Sequence, residues 1–180
     1  MSAAMFGRRR VIKAGAFTIA CMVAGKIVHV SPAEAHAKAA VPRVLSAHEA
    51  KTLGHLAETM VPGARAAGIA EYVDSQLAAE PNESLLIARY FGVLPPFREF
   101  YAAGFAGLDA AAKATHGQSF AALAAEPALA LAASLLAGAP PGWTGPPAPL
   151  FYLALRGDAV DVVYGTQAGF EMLGVPYMEH

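Results

Sequence analysis

The sequence is short of the groups that most often carry chemistry. Its 180 residues include a single cysteine, Cys21, and a single tryptophan, Trp143. One cysteine excludes an internal disulfide framework, cysteine-rich zinc sites, iron–sulfur clusters and covalent haem attachment through C-x-x-C-H. Charge is scarce as well: 15% of residues are charged, and 13 basic against 14 acidic side chains leave a formal net charge of -1. A chain so balanced lacks the dense basic face needed to displace counterions from phosphates, so nucleic acid falls away as a partner class. The Gly-x-Gly-x-x-Gly dinucleotide turn, the Walker loop, the Gly-x-Ser-x-Gly elbow and His-Glu-x-x-His are all missing from the sequence, and with them the chemistries they carry.

What is present is apolar. Hydrophobic residues make up 56% of the chain, a globular composition that at this length fills one core and one domain. The first 37 residues read as an address. Arg8, Arg9 and Arg10 precede an apolar run from Ala14 to Gly25, followed by the small residues of Ala33-Glu34-Ala35-His36-Ala37. These are the three regions of a signal peptide, and a run of about a dozen residues is too short to span a bilayer, which takes roughly 20. Both Ala35 and Ala37 fit as the last residue before the cleaved bond.

Arg8, Arg9, Val11, Ile12 and Lys13 match a twin-arginine signal, with Gly7 standing where serine or threonine is usual. The moderate hydrophobicity of the run and the extra positive charge of Lys26 suit that route. An ordinary Sec signal is the competing reading, and Cys21 could be read as a lipoprotein acceptor, although Thr18 sits where a leucine-like residue belongs. Cleavage would remove Arg8, Arg9, Arg10, Lys13 and Lys26 but only one acid, Glu34, leaving an acidic domain.

Beyond a linker at 38–45, residues 46–180 form the domain, and their apolar spacing predicts an all-α fold of five or six helices with essentially no sheet. Ser46-Ala47-His48-Glu49 has the form of a capping box. Leu53, Leu56, Ala57 and Met60 continue it as one stripe, up to Pro62-Gly63. A second helix carries Ile69, Tyr72, Val73 and Leu77, and a third runs over 83–91. The longest stripe, Phe97, Phe100, Tyr101, Phe105, Leu108 and Ala112, ends at Gly117. Leu129, Ala132, Ala133 and Leu136 mark another helix up to Gly138, and a last one spans 150–163. The proline- and glycine-crowded stretch 138–149 reads as a loop, and the tail from Tyr164 onward as irregular.

Two sets of residues are candidates for a site. His48 and His55 lie seven apart on one helix with Glu58 nearby, which would suit a metal, or simply a solvated face. Trp143, Phe151, Tyr152, Tyr164, Phe170 and Tyr177 lie in or beside segments too rich in glycine and proline to pack as a layer, which makes them candidate anchors for a partner. Arg156-Gly157-Asp158 spells an adhesion tripeptide, but inside a predicted helix it is a coincidence of spelling.

Several stretches carry a resemblance: Leu45-Ser46-Ala47-His48-Glu49, Glu58-Thr59-Met60-Val61-Pro62-Gly63, Ala70-Glu71-Tyr72-Val73-Asp74 and Phe151-Tyr152-x-x-Leu155-Arg156. In these the chain resembles the gluconate 2-dehydrogenase small-subunit family. The resemblance implies an exported, non-catalytic companion of a flavin-dependent sugar or alcohol dehydrogenase of the glucose-methanol-choline type. It also implies FAD in that partner, haem c in a third, cytochrome subunit, and neither catalytic nor cofactor residues in this chain. Around 161–166 and 174–177 the sequence departs from gluconate-type members, which leaves the substrate open. A periplasmic companion subunit is the expectation. Its rival is a stand-alone periplasmic helical protein, either a metal binder using His48, His55 and Glu58 or a hydrolase with an unrecognised site.

Overall fold

A computed structural model describes residues 18–176. In chain order these form β1 (Ile19–Val23), β2 (Lys26–Val30), α1 (Pro32–Ala37), α2 (Ala47–Met60), α3 (Ile69–Leu77), α4 (Ile87–Tyr90), α5 (Phe97–His116), α6 (Ala125–Ala137), α7 (Ala148–Tyr164) and α8 (Gln167–Met172). The body is helical, as the spacing predicts. Arg8, Arg9 and Lys13, the candidate export-signal residues, and Tyr177 lie outside the described residues.

The helices with strong local signals form where those signals lie. Ser46 Oγ accepts from the Glu49 amide at 3.2 Å while the Glu49 carboxylate accepts from the Ser46 amide at 2.8 Å, so α2 begins on a completed capping box. Its Leu53, Leu56 and Ala57 are buried. In α5 the predicted stripe buries Phe97, Tyr101, Phe105, Leu108 and Ala112, and Gly117, at φ 73°, closes the helix in the left-handed conformation that glycine adopts without penalty. Arg98 of α5 donates to Glu49 of α2 at 2.8 Å, tying the two helices outside the core.

The N-terminal stretch, ahead of the domain for which the sequence predicts no sheet, forms a small two-stranded sheet of its own. Strands β1 and β2 pair antiparallel, Ile19 opposite Val30 and Val23 opposite Lys26, and Ala24 and Gly25 turn between them with positive φ of 48° and 75°. Two left-handed residues match the twist of a two-residue hairpin. Ile, Val and Cys suit a pleated surface as well as an apolar helix, so composition alone does not distinguish the two. Ile19, Cys21 and, from α1, Ala35 are buried against the body, with α3 in contact with both β1 and α1.

Three further differences have local causes. Residues 38–45 are no free linker, because the carboxylate of Asp74 in α3 accepts from the amides of Arg43, Val44 and Leu45, each at 2.8 Å. The third helix shrinks from 83–91 to α4, since two amides at its start are taken by side chains of other elements: Leu85 N by Gln76 Oε1 at 2.7 Å and Ile87 N by Asp158 Oδ1 at 2.8 Å. The tail forms α8 instead of an irregular end, nucleated by Thr166, whose Oγ1 accepts from the Gly169 amide at 3.1 Å.

Candidate functional site

The aromatic residues nominated from the sequence divide between core and surface. Phe151 is wholly buried and therefore offers nothing to a partner, which corrects its place among the interface candidates. The cause lies on α5: a Cβ at Gly104 would stand 2.1 Å from the Phe151 ring, so this glycine is the seat the ring occupies. Trp143 is half-buried; its ring centroid lies 5.7 Å from that of Phe151 and its Nε1 donates to the Pro146 carbonyl at 2.7 Å. A Cβ at Gly107 would stand 2.6 Å from the Gly145 amide nitrogen, so a second glycine of α5 lets the loop of 138–149 lie down on the helix. Tyr152 and Tyr164 are half-buried and packed against the core, and Phe170 of α8 is half-buried as well.

The outward apolar surface lies elsewhere, on the segment around α4. Leu85, Tyr90, Phe91 and Leu94 all face solvent, Tyr90 at 66% and Leu94 at 82% exposure. The segment is held firmly from below. Arg89 donates from Nη1 to the carbonyls of Asn82 (2.9 Å) and Ser84 (3.0 Å), its guanidinium lies 6.0 Å from the Tyr90 ring centroid, and Asp158 caps the start of α4. Between Tyr90, Leu85 and the C-terminal end of α7 at Asp161 and Gly165 lies a hollow of about 420 Å³. Large apolar side chains exposed on a fixed scaffold suit a protein-binding surface. The sequence pattern passes over it because Tyr90, Phe91 and Leu94 fit no helical stripe and precede Pro95-Pro96.

Asp158 sits at the base of this segment, fully buried. Its Oδ2 accepts from the Tyr101 hydroxyl at 2.5 Å and its Oδ1 from Ile87 N. Burial pushes its pKa up to about 7 against the opposing pull of those two hydrogen bonds. The Asp158 of the adhesion tripeptide is thus a core strut joining α4, α5 and α7.

The histidines do not converge. His48 pairs with Asp109 of α5; His55 accepts at Nδ1 from Arg65 at 3.3 Å and tilts over Phe120 at 5.3 Å. Burial, then the Arg65 charge, hold the His55 pKa below its ordinary value. Glu58 accepts from the amides of Gly63 and Arg65 at 3.0 and 2.9 Å, capping the turn after α2. His48 is turned to Asp109 while His55 and Glu58 both meet Arg65, and among the described residues no group of three His, Cys, Asp or Glu is placed to hold a metal ion.

A cavity of about 470 Å³ between α2, α3 and the chain around Cys21 and 36–42 is lined by Cys21, His36, His55, Arg65 and Glu71 among others. His36 Nδ1 and Glu71 Oε1 are 3.0 Å apart. Burial pushes the Cys21 thiol up, away from the thiolate a nucleophile needs.

No helix among the described residues is long and apolar enough to cross a membrane. No curated protein and no solved structure matches the chain. A sequence model described as gluconate 2-dehydrogenase subunit 3 matches residues 47–179. That span begins at the first residue of α2 and takes in the α4 segment, the aromatic seat on α5 and the Asp158 strut. With most of its length so matched, the chain belongs to the gluconate 2-dehydrogenase subunit 3 family.

Proposed function

We propose that this chain is a non-catalytic companion subunit that binds, escorts through twin-arginine export and steadies a flavin-dependent dehydrogenase of the glucose-methanol-choline type. The partner acts on a sugar or alcohol in the periplasm. The observation that carries this reading is membership of a dehydrogenase-subunit family over residues 47–179. Two features of the fold support it: a fixed outward patch at Leu85, Tyr90, Phe91 and Leu94, and side chains of the His48, His55 and Glu58 set that are spent on structural contacts. In this division of labour FAD belongs to the large subunit and haem c to a third, cytochrome subunit. This chain supplies an export signal, with Arg8 and Arg9 at its centre, and a docking face.

Co-expression with a flavoprotein that lacks its own signal tests the reading. Replacing Arg8 and Arg9 by lysine keeps the charge but removes the recognition pair, and strands both proteins in the cytoplasm. Undiminished periplasmic dehydrogenase activity in that variant would overturn the escort role, and turnover of sugar or alcohol by this chain alone would overturn the companion role.

A further inference from the structure

Residues 18–37 have two roles that conflict. In the export reading they end a leader that is cut away, whereas in the fold they form one wall of the domain. Ile19 and Cys21 of β1 and Ala35 of α1 are buried in the same core as the helical body. The carbonyl of Pro32 lies so close to Gly68 that a Cβ there would stand 2.1 Å from it, so the chain has left room at Gly68 for the start of α1. His36 reaches Glu71 of α3 at 3.0 Å. Beyond both candidate cleavage positions, Val41 N donates back to the Met22 carbonyl at 2.9 Å, so the hairpin is stitched to the chain that would remain.

A signal peptidase reads an extended segment and seats two small side chains in its own pockets. Here that segment is a helix closed by its own capping box, Ser31 with Glu34, and the Ala35 side chain is already seated in this protein's core. The twin-arginine route carries a chain that has folded first, so the peptidase would meet α1 in place and depend on local opening to reach the bond.

We infer that the exported protein keeps residues 18–37, with neither Ala35 nor Ala37 as the cleaved residue, and that the second half of the leader serves as a permanent wall over the cavity between the hairpin, α2 and α3. This rests on the export reading given above. The cavity lined by Cys21, His36, His55 and Glu71 is then a feature of the working protein and is not lost on processing.

The test is the intact mass of the full chain, co-expressed with its flavoprotein partner and recovered separately from periplasm and cytoplasm. The expected result is a periplasmic chain whose mass includes residues 18–37. A periplasmic chain that starts at His36 or Lys38 overturns the inference while leaving the export reading standing. A chain confined to the cytoplasm overturns the export reading instead, and a second measurement then judges the wall by itself. In the full-length protein, Ala35→Asp is expected to lower the melting midpoint by on the order of 5 °C or more, while Ala37→Asp, two residues on and exposed, leaves it nearly unchanged. Equal melting of Ala35→Asp and the parent protein overturns the inference. Ala35→Ser, a milder change, keeps the comparison measurable should Ala35→Asp not fold.

Discussion

Two aromatic-bearing stretches of this chain, each with a proline pair, have opposite fates. The stretch 138–149 carries Trp143 among prolines and glycines and lies down on the domain, whereas the segment from Leu85 to Pro96 carries Tyr90, Phe91 and Leu94 and turns them outward. The difference is made by what lies beneath. Under the first, Gly104 and Gly107 on one face of α5 leave the depth that Phe151 and the loop backbone fill. Beneath the second, Asp158, Arg89 and Gln76 fasten the backbone through hydrogen bonds, so that Leu86 and Ala88 turn inward and Leu85, Tyr90, Phe91 and Leu94 are left uncovered. An aromatic residue in a loop is therefore no interface anchor by itself; the side chains facing it decide.

Substitutions can break this contrast, and the largest effect belongs to the inward side. Phe151→Ala empties a filled seat in the core and is expected to cost about 3–5 kcal/mol in denaturant unfolding. A loss under 1 kcal/mol would mean that the ring does not occupy the Gly104 seat. Trp143→Ala follows, at about 1–2 kcal/mol for a half-buried ring, with co-purification of the flavoprotein retained. Loss of binding with unchanged stability would move the interface back to this loop.

Next in size is a pH effect at the strut that joins the two regions. The folded-state pKa of Asp158 is raised to about 7, above its ordinary 3.8. Between those values the folded protein holds a proton that the unfolded chain has released. Its contribution is therefore most favourable at low pH, declines as pH rises from about 4 to 7, and is level above that. Glu49 and Glu58 act in the opposite sense. For both, burial is outweighed by hydrogen bonds that hold the pKa below the ordinary carboxylate value, so their stabilisation fades as pH falls through the acid range. The difference in melting between the parent protein and Asp158→Asn isolates the strut: the variant should gain relative to the parent as pH rises from 4 to 7. A pH-independent difference would show that Asp158 does not titrate in this window.

The smallest stability effect is expected on the outward side. Leu94→Asp with Tyr90→Asp should shift unfolding by no more than about 0.5 kcal/mol each, as exposed positions do, while co-purification of the flavoprotein falls sharply. Intact co-purification would place the docking face elsewhere, with the exposed Leu129 and Leu136 of α6 the next apolar surface to try.

Features that the sequence determined by itself are those whose physics is short-range. The Ser46–Glu49 box, the stripe of α5 and its stop at Gly117 each concern residues within a few positions of one another, and all three stand in the structure as the spacing predicts. Family membership was legible for the same reason, in short motifs along α2, α3 and α7. Tertiary structure alone decided the rest. Whether the apolar residues of 19–30 become strand or helix depends on α3 being there to cover them. Asp74 reaches back about 30 positions to fix the backbone of 43–45, and Phe151 and Tyr152 part company only because Gly104 faces one of them. Periodicity along one element reports which side is apolar; what that side meets is set by packing between elements distant in sequence, where a missing Cβ or a single carboxylate settles which residues turn inward.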